Sequence, residues 1–391
     1  MKTFQIYSTS KELPNTWDSF LNHDVFLQSS YLKALEKGAP SNIQLFYVGV
    51  FDNETLVGIA ILQRVQLYLH DMFRKTEVSC FKAFFKNIIS KVLKGNILVV
   101  GNLTQTGQHG IYYDKNRIHS DAYFSLLFNA LETLKNNIKT TQNKTIRAIM
   151  LKDFFLDDNI YINKSAFNSY NLNRVSVQPN MILTIQSNWL KIDDYVNDLH
   201  KKYRDRYKRA KKKLGNIKRI ELDLESIKAN SEKLHKLYLN VSNNAQFNTF
   251  ILPENHFYSY KLQLKGDFKV FGYYLENKLI GFYTLILSND ILETYFLGYD
   301  IEQQYNNQLY LNMLYDMLAF GIENRYTSII YARTAMEIKS SVGAKPKAMV
   351  LYMKHTNRFF NALLKPVFKL MNPSQNWQER HPFKEQKPFS F

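Results

Sequence analysis

The sequence has one cysteine, Cys80, so no disulfide can close within the chain and a reducing compartment is expected. It has no uninterrupted apolar run approaching the ~18 residues that a membrane-spanning helix needs. Its opening, MKTFQIYSTSKELP, lacks the apolar stretch of a signal peptide, and a cytoplasmic location is expected. The nine histidines are scattered without metal-ligand spacing and there is no cysteine pair, so no metal is expected. The patterns G-x-G-x-x-G, G-x-x-x-x-G-K-[ST] and G-x-S-x-G are absent. Dinucleotide, P-loop and serine-hydrolase readings therefore lose their main sequence support.

What is present argues for a folded, basic protein. The 391 residues suffice for two domains with separate cores, and 45% hydrophobic with 15% aromatic content excludes disorder. Lys and Arg number 51 against 34 Asp and Glu, a net +17. That excess favours an anionic partner: nucleic acid, a membrane surface or a phosphorylated substrate.

Two stretches read alike. In Tyr47–Leu62 and Val270–Leu285, glycines stand nine apart (Gly49 and Gly58; Gly272 and Gly281) around polar turns, Asp52-Asn53-Glu54 and Glu276-Asn277-Lys278. Each predicts a β-hairpin. Each is followed by an apolar helical stretch, roughly 120–136 and 307–324. The spacing predicts a duplicated α/β unit, with a boundary near 165–185 where Asn168, Asn171, Asn173 and Gln178-Pro179-Asn180 break the periodicity. The expected domains are 1–175 and 176–391.

After Asp193-Asp194, suited to a helix N-terminus, comes HKKYRDRYKRAKKKLG, residues 200–215. Nine of its first fourteen residues are Lys or Arg, while Leu199, Tyr203, Tyr207, Ala210 and Leu214 recur on one helical face. A basic helix over 195–215, ended by Gly215, is expected. A solvated surface helix would account for it; so would a ligand anion, because only Asp205 relieves the like-charge repulsion. Two further amphipathic stretches occur, Phe81–Lys94 and Arg358–Met371, the second expected to be interrupted at Pro366. Each reads as a core-facing helix or as a peripheral contact with an anionic bilayer.

Tyr203-Arg204-Asp205-Arg206 running into Lys208-Arg209-Ala210, the strand pair around Gly272 and Gly281, Phe296-Leu297-Gly298-Tyr299-Asp300, and Glu337-Ile338-Lys339 before Gly343-Ala344-Lys345-Pro346 resemble the GNAT acyltransferase superfamily. More narrowly they resemble its FemAB-like branch, which carries two GNAT-type domains in one chain. Gly101-Asn102 and Gly107-Gln108-His109-Gly110 are similar to stretches of this branch too. The resemblance spans most of residues 20–385. It implies an α/β (α+β) fold of two tandem GNAT-like domains, each a mixed, mostly antiparallel sheet flanked by helices. It also implies acyl transfer from acyl-CoA or another carrier. One departure stands out: where GNAT enzymes carry a Q/R-x-x-G-x-G/A loop for the CoA pyrophosphate, this chain has Gln304-Tyr305-Asn306-Asn307-Gln308-Leu309, without glycine.

Acyl transfer to an amine needs a base, a leaving-group proton and an oxyanion donor, and no covalent nucleophile. On the strand 291–298, Glu293, Tyr295 and Leu297 alternate on one expected face; Glu293 is the candidate base and Tyr295 the candidate acid. The alternative is that Glu293 pairs with a cation and Tyr295 is packed. Asp300 and His256 are lesser candidates. The polar segment RTAMEIKSSVGAKP (333–346) is expected to leave a core strand at 329–331 as a turn into a short helix. Arg333, Glu337, Lys339 and Lys345 are its candidate ligand-binding or catalytic groups, the alternative being a structural Arg333–Glu337 ion pair. Tyr203, Arg204, Arg206 and Arg209 are the donor- or substrate-binding candidates on the basic helix.

The expected function is an N-acyltransferase using an acyl thioester, on CoA or acyl-carrier protein, to acylate an amine of a membrane lipid or envelope precursor, with peripheral membrane contact. The alternatives are a FemAB-type aminoacyltransferase of peptidoglycan that binds aminoacyl-tRNA through the basic helix, and a catalytically inactive binding module.

Overall fold

The computed structural model describes residues 1–21, 24–67, 95–158, 167, 169–244, 249–371 and 377–384. The first amphipathic stretch, 81–94, and Cys80 lie outside the described residues.

Along the chain, β1 (Lys2–Tyr7), α1 (Trp17–Phe20) and α2 (Ser29–Lys37) precede the hairpin β2 (Ile43–Asp52) and β3 (Thr55–Leu67). Next come β4 (Gly95–Val100), β5 (Ile111–Tyr113), α3 (Ser120–Gln142), β6 (Ile146–Phe155) and β7 (Asn173–Thr184). The basic region forms α4 (Ile192–Asp198) and α5 (Lys201–Leu214), leading to β8 (Lys218–Glu221), α6 (Leu224–Ala229), α7 (Ser231–Ser242) and α8 (His256–Leu264). The second hairpin is β9 (Phe268–Leu275) and β10 (Lys278–Ser288), followed by β11 (Ile291–Tyr299), α9 (Ile301–Asn307), α10 (Leu309–Glu323) and β12 (Ser328–Ile330). The last elements are α11 (Met336–Ser340), β13 (Lys345–His355) and α12 (Arg358–Met371). Helix α12 runs through Pro366 rather than stopping there. The lost N–H costs one backbone bond and strains the local turn, but it does not end the helix here.

Two compact units result. Unit 1 contains residues 1–178, 243–263 and 348–374; unit 2 contains 179–242, 264–347 and 375–391. In unit 1 the strand order is β1-β2-β3-β4-β6-β13, with β5 beside β3. Its pairs are antiparallel except β4–β6, the parallel pair that α3 connects. Helix α3 buries Tyr123, Phe124, Leu127, Leu131, Leu134 and Ile138, a three-and-four spacing that lays one stripe on the sheet. Their partners include Val48, Val50, Leu98, Ile149 and Tyr352.

Unit 2 repeats the plan. Its order is β7-β12-β11-β10-β9-β8, antiparallel except β11–β12, which α9 and α10 connect. The β9–β10 turn puts both Glu276 and Asn277 in the left-handed region, as a two-residue hairpin turn requires. Helix α10 buries Leu311, Met313, Leu314, Met317, Leu318 and Ile322 with Met181, Leu183, Tyr283, Leu292 and Ile329. Helix α7 comes so close to β11 that a Cβ at Gly298 would lie 2.4 Å from the Leu237 carbonyl carbon, so only glycine fits. Each unit thus has a mixed, mostly antiparallel sheet flanked by helices.

Candidate functional site

In unit 2 the parallel pair β11–β12 lasts only three residues, Ile291↔Ser328 to Glu293↔Ile330. Beyond it the strands part. Strand β11 stays with β10 as far as Tyr299, whereas Tyr331 and Ala332 follow β7, exchanging backbone bonds with Met181 at 2.8 and 3.1 Å. A wedge opens between 294–299 and 331–335.

The β10–β11 register shifts inside this wedge: Tyr283 faces Leu297 but Leu285 faces Thr294, so β11 carries one extra residue. That bulge breaks the alternation expected for Glu293, Tyr295 and Leu297; Glu293 and Leu297 fall on opposite faces. Glu293 is buried. Tyr295 is half-buried against Phe296 and Phe268, ring centroids 4.5 and 6.3 Å away.

The other wall of the wedge is strained. Ala332, Thr334 and Ala335 all have left-handed backbones, φ 59°, 66° and 47°. For a β-branched residue such as Thr334 this is a rare conformation, costing about 1–3 kcal/mol, and it persists only where the surroundings hold it. Lys339 is what holds it. The side chain is buried and its Nζ donates to the carbonyls of Ala332 (3.3 Å) and Arg333. Burial pulls the Lys339 pKa down to about 7 and that of Arg333 down to about 10. Lys339 therefore braces the loop from within.

Next to this loop lies a cavity of about 580 Å³, lined by Lys202, Tyr203, Arg206 and Arg209 of α5, by Ala335–Ile338, and by Trp377 and Arg380. Four cations meet one carboxylate. Glu337, the carboxylate, accepts from Arg380 (Nε at 3.1 Å), so the alternative pairing with Arg333 gives way to a partner 43 residues away. Helix α5 can expose its cations because the other stripe is anchored: Tyr203 and Ala210 are buried, Tyr207 and Leu214 pack on the unit 2 core, and Lys211 pairs with Asp316 of α10. The basic region is broken at Leu199-His200 rather than continuous from 195, and Arg204 Nη1 donates to the Leu199 carbonyl (2.8 Å) at the break. The C-terminal segment supplies the last wall: Phe383 packs on Trp189 and Tyr195, and the Arg380 N–H donates to Ser340 Oγ (3.0 Å).

Of the sequence candidates, Tyr203, Arg206, Arg209 and Glu337 line this cavity. Asp300 instead caps α9, its Oδ1 accepting from the Glu302 N–H at 3.0 Å. Lys345 is exposed at the start of β13. His256 belongs to unit 1, fully buried with Nδ1 2.7 Å from the Gly38 carbonyl; burial lowers its pKa to about 4. Sequence reasoning missed Lys202, Trp377 and Arg380; the WQER motif (377–380) near the C-terminus was the only local signal for the last two.

The glycine-free segment 304–309 is not a loop but the junction of two helices, with Gln308 left-handed between them. Two N–H groups near it are taken: Asp300 Oδ1 accepts from Glu302, and Gln304 Oε1 accepts from Tyr310 at 3.0 Å. Among the described residues, no group of three or more His, Cys, Asp or Glu could hold a metal ion. No described helix is long and apolar enough to cross a membrane.

No protein-family model and no curated protein matches the sequence. Solved structures do. The chain is similar to the crystal structure of FemX, with a TM-score of 0.54 at 13% identity over 93% of this chain and 99% of that one. It has the tandem GNAT fold of FemAB-like proteins. A tandem GNAT protein from the clavulanic acid biosynthesis pathway is also similar, with a TM-score of 0.51 at 10% identity, covering 91% of this chain and 99% of that one.

Proposed function

We propose that the protein is an N-acyltransferase whose unit 2 transfers an acyl group from an acyl thioester to an amine of a membrane lipid or envelope precursor. The observation that carries this reading is the wedge between β11 and β12 ending on a basic cavity, with the 332–338 loop common to both. In this reading a thioester carbonyl lies in the wedge beside the bulge of β11, where the regular ladder is interrupted. The cavity's cations suit a phosphorylated or otherwise anionic group on the acceptor or carrier.

In the reaction the neutral amine nitrogen forms a bond to the thioester carbonyl carbon. The C–S bond then breaks, the nitrogen loses one proton and the thiolate gains one. Glu293 is the base of this reading, directly or through a water, and Tyr295 the hydroxyl that protonates the leaving sulfur. Lys339 keeps the loop in place and Arg333 sits on the same wall. The acceptor at a membrane surface would be reached peripherally, through surface cations.

A second reading has one observation in its favour. Two N–H groups beside the glycine-free segment, those of Glu302 and Tyr310, are occupied by Asp300 and Gln304, while α5 exposes a row of cations, which suits an aminoacyl-tRNA donor and a peptidoglycan precursor. The deciding experiment compares lipid extract and peptidoglycan of cells with and without the gene by mass spectrometry. Loss of an N-acylated lipid with accumulation of its free amine supports the first reading. A change confined to the peptide cross-bridge moves the function to aminoacyl transfer. No change in either refutes both and leaves an inactive binding module.

A further inference from the structure

Helix α5 has three faces. Tyr203, Tyr207, Ala210 and Leu214 point to the core, and Lys202, Arg206 and Arg209 point to the cavity. At 100° per residue, Lys201, Lys208 and Lys212 form a third stripe, all exposed and relieved only by Asp205. The cavity does not use this stripe. Over eleven residues it runs about 16 Å, the reach of one facing helix.

Helix α9 lies against α5 in the same unit and exposes two large apolar side chains one turn apart, Ile301 (48%) and Tyr305 (79%). Helix α9 begins directly after β11, at the far end of the wedge. A cationic stripe on α5, with an exposed aliphatic and an exposed aromatic residue on the helix packed against it, suits a partner helix with acidic and apolar positions. RNA would gain nothing from Ile301, and two apolar side chains are fewer than an interfacial membrane helix inserts.

We propose that α5 and α9 together dock an acidic carrier protein bearing the acyl thioester, which rests on the N-acyltransferase reading for its chemistry. A carrier's prosthetic arm has no pyrophosphate to place at a helix terminus, so the amides already taken by Asp300 and Gln304 are no obstacle to it. The carrier's acidic surface makes the long-range attraction instead.

The test measures binding of fluorescently labelled, palmitoyl-loaded acyl-carrier protein to the full chain by anisotropy at low salt. Lys208→Glu/Lys212→Glu and Ile301→Ser/Tyr305→Ser, each with an unchanged circular dichroism spectrum, are expected to weaken binding about tenfold or more. Equal affinity in wild type and both variants overturns the proposal. So does tighter binding of a tRNA transcript, or of 1:1 phosphatidylglycerol:phosphatidylcholine vesicles, that the same substitutions abolish. Carrier binding that depends on these residues without transfer to any amine upholds the docking surface and counts against the N-acyltransferase reading alone.

Discussion

The amino group of Lys339 reaches back across its own helix to the carbonyl of Ala332, 3.3 Å away, and so braces a loop in which three of four residues are left-handed. This contact joins the wedge wall to the cavity wall, because the same loop forms both.

Its pH signature follows from burial. Lys339 has a native pKa near 7 against the ordinary 10.5, so between these values the unfolded chain binds a proton that the native chain does not. Stability from this group therefore rises with pH from about 7 toward 10.5 and is lost below. The difference in unfolding free energy between wild type and Lys339→Met, measured in urea at pH 7 and pH 9, should move in favour of wild type by up to about 2 kcal/mol. A pH-independent difference would mean that Lys339 is charged in the native state throughout.

Gly343 has φ 106°, and a Cβ there would lie 2.5 Å from the Phe383 ring. Gly343→Ala should cost about 2 kcal/mol or more, from backbone strain plus displacement of Phe383. Limited proteolysis should show the C-terminal segment released; an undisturbed segment would place the strain elsewhere.

Within the cavity, Arg206→Ala should lower kcat/KM for an anionic substrate by about 10- to 100-fold while shifting the melting temperature little. Arg206→Lys should recover only part of this, since a fork of donors is replaced by a point charge. Equal activity of the alanine variant would exclude the cavity from the substrate path.

At the start of α9, Asp300→Gly removes the carboxylate that accepts from the Glu302 N–H. A glycine cap costs a few tenths of a kcal/mol. Its expected effect is a lower KM for acyl-CoA, from the one amide newly open to phosphate. An unchanged KM would show that CoA, if used at all, is held elsewhere.

Much of this architecture was readable beforehand. Both hairpins follow from β-rich apolar runs around the polar turns Asp52-Asn53-Glu54 and Glu276-Asn277-Lys278, where Asn53, Glu276 and Asn277 take the left-handed conformation. The anchored stripe of α5 follows from spacings of three and four. The bulge in β11 was not readable: nothing local in Glu293-Thr294-Tyr295-Phe296-Leu297 marks the extra residue, which exists because β10 and β11 must pair on both sides of it. Trp377 and Arg380 escaped for a related reason, since their neighbours at 202–209 and 335–338 are remote in sequence.

The sequence by itself determined the duplicated plan, the cationic helix and the absence of a glycine-rich phosphate loop, because each is written in short-range periodicity or residue type. Only the tertiary structure decided where β11 and β12 part, which acid meets Arg380, and that Lys339 is buried. Those depend on backbone pairing and burial between distant segments, where desolvation and packing, not local preference, set the outcome.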